Sequence, residues 1–140
     1  MIFLLAIGFA VDTYAQAASQ DTLPVAIRNH IAGNFAAASA MEWTVADSLY
    51  TGTFTLEGER HLIEFTSSGK LLSHRYSLKK DKYPPAISGL ITKTYGKHKV
   101  DDVDYVEKNG AITYEVDLDG SPDYLLVFDS TGKLISSKAK

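Results

Sequence analysis

Apolar residues along this chain recur at two spacings that alternate in a fixed order. Leu23, Ile27, Ile31 and Phe35 fall every four residues, as do Tyr83, Ile87, Ile91 and Tyr95, which places each set on one face of a helix. Thr22 is the expected N-cap of the first helix, with Pro24 in its first turn, and Pro84 and Pro85 open the second in the same way. Beyond each helix the period changes to two. In "YTGTFTL", Tyr50, Gly52, Phe54 and Leu56 alternate with Thr51, Thr53 and Thr55; in "ITYEVDL", Ile112, Tyr114, Val116 and Leu118 alternate with Thr113, Glu115 and Asp117. Such alternation predicts half-buried strands. "HLIEF" and "YLLVF" return as further strands after turns at "EGE" and "DGSPD", where Pro122 cannot continue a central strand. Short strands around residues 41–46 and 103–107 complete each set.

The order repeats because the sequence does. "FTSSGKLLS" at residues 65–73 returns as "FDSTGKLIS" at residues 128–136, an offset of 63, whereas the helical segments align at an offset of 60 and "TLEG" aligns with "DLDG" at 62. The three additional residues are therefore assigned to turn-like places, two near "EKNG" and one in "DGSPD". "SSGK" and "STGK" read as hairpin turns in which Gly69 and Gly132 take positive φ. The predicted fold is α+β: a tandem repeat of one helix plus a four-stranded antiparallel sheet, residues 21–80 and 81–140, in one compact two-repeat domain.

The first residues add a location. "MIFLLAIGFAV" is too short to cross a hydrocarbon core of ~30 Å as a helix, but has the length of a signal-peptide core followed by small-residue cleavage sites. Residues 1–17 read as a signal peptide cleaved after Ala15 or Ala17, so the mature chain is expected to be periplasmic or secreted. With no cysteine, thiol chemistry, Cys-based zinc sites, lipoprotein acylation and disulfides are excluded. A net charge of −3 gives no bulk attraction to nucleic acid.

Helices written P-x-A-I-x3-I and closing hairpins written F-x3-G-K-L, behind an export signal, resemble the PepSY-like family, whose fold is similar to that of the beta-lactamase inhibitory protein. The resemblance covers residues 23–137. It implies a non-enzymatic extracytoplasmic protein whose curved sheet holds a partner; the inhibitor's contact residues fall in no motif matched here, and none is carried over.

Side-chain chemistry offers little for catalysis. His61 and His74 could face each other across the hairpin of residues 60–78, but His30, His61, His74 and His98 show no ligand spacing and read as ordinary surface or half-buried histidines. No nucleophile elbow, phosphate loop or dinucleotide fingerprint occurs. "DLDGSPD" at residues 117–123 has the carboxylates of a calcium loop without its closing Glu, and reads as a hairpin turn, with calcium binding as the alternative. No cofactor is expected. Lys79, Lys80, Lys82, Lys93, Lys97 and Lys99 cluster around the second helix, while nine of seventeen acids lie from Asp101 onward. The sheet face turned away from the helices carries Thr53, Thr55, Leu62, Glu64, Glu115, Asp117, Leu125 and Val127, and is the expected binding surface for a protein or peptide partner. Leu125 and Val127 are its expected apolar centre. A homodimer that buries the same face is the structural alternative.

Overall fold

The four-residue stripes form α1 (Val25–Asn34) and α2 (Pro85–Thr94) in a computed structural model that describes residues 15–79 and 82–140. Pro24 and Pro84, rather than Thr22, occupy the N-cap positions, because their fixed φ of −51° and −54° sets the entry to each helix without a side-chain cap. Thr22 instead ends a short 3₁₀ turn, Gln20–Thr22, where its hydroxyl donates to the Ser19 carbonyl. Both helices close on an aromatic residue, with the Phe35 and Tyr95 amides donating to the carbonyls of Ile31 and Ile91 at 2.8 Å.

The strands are β1 (Gln16–Ala18), β2 (Ser39–Ala46), β3 (Leu49–Leu56), β4 (Glu59–Thr66), β5 (Leu71–Ser77), β6 (Lys99–Lys108), β7 (Ala111–Asp119), β8 (Tyr124–Asp129) and β9 (Leu134–Ala139). They form one antiparallel sheet in chain order, not two four-stranded sheets. The difference has a physical cause: two separate sheets would each expose open edges, and pairing β5 with β6, from Ser73↔Lys108 to Ser77↔Asp104, satisfies both. Of the expected export segment, residues 1–14 lie outside the described residues. Gln16 and Ala17 pair with Val45 and Thr44, so β1 adds a ninth strand at the edge.

The additional residues of the second half fall partly elsewhere than expected. Both β2–β3 and β6–β7 turn through two residues, Asp47-Ser48 and Asn109-Gly110, all four in left-handed or other positive-φ conformations suited to tight hairpins. The two residues assigned to "EKNG" instead lengthen β6, which has 10 residues against 8 in β2.

Cross-strand register shows that both helices lie on one face. Phe54 pairs with His61, Ile63 with His74, Tyr76 with Tyr105 and Tyr105 with Tyr114, so these residues share a side with the apolar residues beneath each helix. Ile27 and Ile31 pack with Trp43, Phe54, Ile63 and Phe65; Ile87 and Ile91 pack with Val103, Val116, Leu118, Leu126 and Phe128. Two apolar clusters result, one under each helix.

The repeated hairpin locks each helix to its sheet. Gly69 and Gly132 have φ of +88° and +90°, and each donates its amide three residues back, to Thr66 or Asp129, at 3.0 Å. A Cβ on Gly69 would stand 2.4 Å from Ala26 Cβ, and one on Gly132 would stand 3.0 Å from Ala86 Cβ. Glycine is therefore required twice over, for the turn and for the approach of the alanine in P-x-A-I.

Candidate functional site: two faces of one sheet

Period-two alternation delivers the predicted surface residues to one face. Thr53 pairs with Leu62, Thr51 with Glu64, Glu115 with Val127 and Asp117 with Leu125, while Leu126 and Phe128 turn into the core. Thr55, opposite Arg60, belongs to the same side. Neither helix covers this outer face.

Arg75 stands at the middle of this face, beside the buried Val106, whereas Leu125 and Val127, its expected apolar centre, lie on β8 toward one edge. Arg75 projects outward from the middle strand β5, and its Nη2 donates to Asp104 at 2.7 Å and to Glu115 at 2.8 Å. Ser77 donates to the other oxygen of Asp104 at 2.9 Å, and Ser73 donates to Glu64 at 3.0 Å. Burial pulls the Arg75 guanidinium down, but its hydrogen bonds to Glu115 and Asp104 outweigh this and hold its pKa above the usual value. Leu62, 39% exposed, lies opposite Arg75 on one side. Leu125 and Val127, both half-buried, lie on the other, beyond Glu115 and Asp117. Lys140 pairs with Asp117, and Arg60 donates to Thr53 at 3.0 Å. The apolar residues thus flank a charged strip.

In the "DGSPD" turn Asp123 accepts from the Gly120 amide at 2.8 Å, a hairpin-closing bond. Among the described residues no three His, Cys, Asp or Glu side chains converge as metal ligands.

The inner face carries a second feature. Between the C-terminal end of α1 and the β5–α2 connection lies a groove of about 420 Å³, lined by residues that include Phe35, His61, His74, Tyr76, Lys79 and Lys82. His61 and His74 are not the ordinary surface or half-buried side chains that the sequence suggested: α1 and the aromatic row bury them, and Nδ1 of the first and Nε2 of the second are 2.9 Å apart. Both are more than nine-tenths buried. Burial pushes His74 down to about 4, helped by the neighbouring His61 and His30; burial also lowers His61, against the opposing pull of Glu59 and Glu57. Phe54 and Tyr76 stack on the two faces of the His61 ring, at 4.9 and 4.2 Å. Tyr76 stacks in turn on Tyr105 at 4.8 Å. The row crosses from β3 to β6, over the junction of the two halves.

Comparison with known proteins agrees with this architecture. The chain is similar to a BLIP-like protein from Bacteroides fragilis, with a TM-score of 0.67, 21% identity, and coverage of 84% of this chain and 86% of that one. It is similar as well to a DUF2874 family protein from Bacteroides uniformis, with a TM-score of 0.66, 18% identity, and coverage of 83% and 88%. A protein from Bacteroides eggerthii described as periplasmic gives a TM-score of 0.66, 14% identity, and coverage of 84% and 88%. These likenesses establish the fold, since identity this low carries no site across. No curated protein matches. The profile of the beta-lactamase-inhibitor-like, PepSY-like family matches residues 48–136, well over half of the sequence, and the chain belongs to that family.

Proposed function

We propose that this chain is a non-enzymatic extracytoplasmic module, binding or inhibitory, whose outer sheet face holds a protein or peptide partner. The observation that carries the reading is the uncovered face itself: Leu62 on one side and Leu125 with Val127 on the other frame the ion-paired Arg75. Apolar flanks supply contact area that water leaves on docking, and a prearranged charged strip fixes orientation at little reorganisation cost. The family relationship supports a binding role. An extracytoplasmic location is supported by the leader-like residues 1–17 and by the periplasmic description of a similar structure; no helix among the described residues is long and apolar enough to cross a membrane. Cleavage after Ala15 would keep all of β1, whereas cleavage after Ala17 would remove two of its three residues.

The test is affinity capture from a cell-envelope extract with three baits: the parent, an outer-face variant (Leu62→Ser, Leu125→Ser, Val127→Ser) and an inner-groove control (Lys82→Ser). The outer-face variant is expected to lose its captured partner by more than about tenfold while the control keeps it, as truncating central contacts does. Light scattering of each bait separates this from a homodimer, for which mass would halve in the variant. Equal capture by all three baits would remove the outer face as the binding surface.

A further inference from the structure

The aromatic residue that ends each helix occupies the same place in both halves but rests on different chemistry. Phe35 corresponds to Tyr95 at an offset of 60, and His61 and His74 correspond to Tyr124 and Ser137 at an offset of 63. Pairing agrees, since Ile63 faces His74 as Leu126 faces Ser137. In the second half the Tyr95 hydroxyl bonds to Ser137 Oγ at 2.8 Å, and its ring meets Tyr124 at 5.2 Å. The imidazole that touches these rings, His98, meets Tyr95 at 5.9 Å and Tyr124 at 5.3 Å and bonds through Nε2 to the Pro122 carbonyl at 2.9 Å, so it shares no bridge with a second imidazole. In the first half Phe35 packs edge-on against His74 at 5.3 Å and, tilted by 45°, against Phe54 at 5.1 Å.

The imidazoles beneath Phe35 are arranged to share one proton. Their centroids are 5.1 Å apart for a nitrogen separation of 2.9 Å, close to that distance plus two ring radii, with planes inclined by 29°. The rings therefore meet edge to edge. A first added proton goes to an outer nitrogen and leaves the bridge intact. A second puts hydrogens on both facing nitrogens, which removes the bridge and sets two cations side by side in a buried site. The groove alongside selects no ligand class: both faces of the His61 ring are covered, and Glu57 and Glu59 balance Lys79 and Lys82 at its rim.

We propose that the His61–His74 pair is an acid switch confined to the first half: protonation of the pair releases Phe35 and the C-terminal end of α1 from the sheet and widens the adjoining groove, while the second half stays closed. The groups facing the pair are His30 from α1, Glu57 and Glu59 around the β3–β4 turn, Tyr76 from β5, Tyr105 and Glu107 from β6, and Lys79 and Lys82 from the β5–α2 connection. Glu57 and Glu59 favour charge on His61, whereas His30 opposes charge on His74. Burial outweighs the glutamates, so the closed state excludes the added protons and the open state accepts them.

Amide hydrogen exchange of the full protein tests this, with Phe35 and Tyr95 as matched probes, each bonded to the carbonyl four residues back. Between pH 7 and 4.5 the opening equilibrium at Phe35, corrected for the intrinsic exchange rate, is expected to rise by roughly tenfold to a hundredfold, and well beyond any rise at Tyr95, which the single imidazole of His98 adjoins. In the double variant His61→Phe, His74→Phe, which keeps rings at both positions, the pH effect at Phe35 should vanish. Imidazole nitrogen shifts of the parent give a second reading that needs no variant. Equal opening at both amides, or opening at Phe35 while both imidazoles remain neutral, would overturn the switch.

Discussion

Gly69→Val is expected to destabilise the fold by about 3–5 kcal/mol, and Gly132→Val by about 2–3 kcal/mol. Both glycines hold φ near +90°, where a β-branched residue is strained, so the turn contributes a similar cost to each. The difference comes from the helix. At Gly69 the new Cβ would overlap Ala26 Cβ at 2.4 Å, and the adjoining Ala26 backbone lies at 3.3 Å, so α1 must shift. At Gly132 the nearest atom, Ala86 Cβ, is at 3.0 Å, and a smaller adjustment is enough. Against a total stability of order 5–15 kcal/mol, the first variant removes a large part. Urea midpoints check the ranking: Gly69→Val should unfold at the lower concentration, and identical midpoints would deny the close approach of helix and hairpin.

Acid is expected to remove about 3 kcal/mol of stability through the buried histidines. The sign follows from the direction of the shift. His74 is held down to about 4 in the folded chain against 6.5 for an exposed imidazole, chiefly by burial. Above pH 6.5 it is neutral folded or unfolded and contributes no pH dependence. As pH falls from 6.5 the unfolded chain takes up the proton first, and stability declines until the folded site also titrates near 4. His61, shifted in the same direction, adds to the loss. Carboxylates titrate in the lower part of this window, so the informative quantity is the difference between the parent and His61→Phe, His74→Phe. Denaturant unfolding at pH 7 and 4.5 should show the parent losing about 3 kcal/mol more than the variant; parallel losses would mean that these imidazoles are not held neutral.

What the sequence disclosed was local in origin. Leu126 and Phe128 could be separated from Leu125 and Val127 because strand parity needs only neighbouring residues, and Gly69 could be placed at positive φ because a hairpin turn requires it. His61 and His74 could be brought near each other since one hairpin joins them, whereas their burial depends on α1 and Phe35. The contacts that stayed hidden are non-local. Arg75 bonds to acids 29 and 40 residues away, and those bonds exist only because β5 pairs with β6 and fuses the two halves into one sheet. No periodicity encodes that pairing. The second role of Gly69 was hidden for the same reason, because Ala26 approaches it from a helix forty-three residues earlier. Thr22 lost the N-cap to Pro24 because a ring-fixed φ outcompetes a hydroxyl whose acceptor lies in the preceding turn.

Carboxyl footprinting of the captured complex tests most directly whether the outer face is the binding surface. Carbodiimide labelling of the free and partner-bound protein compares Glu64, Asp104, Glu115 and Asp117 on the outer face with Glu57, Glu59 and Glu107 on the helix side. Binding is expected to protect the first group and to leave the second labelled as in the free chain. Protection of Glu57, Glu59 and Glu107 with the outer acids still fully reactive would contradict it.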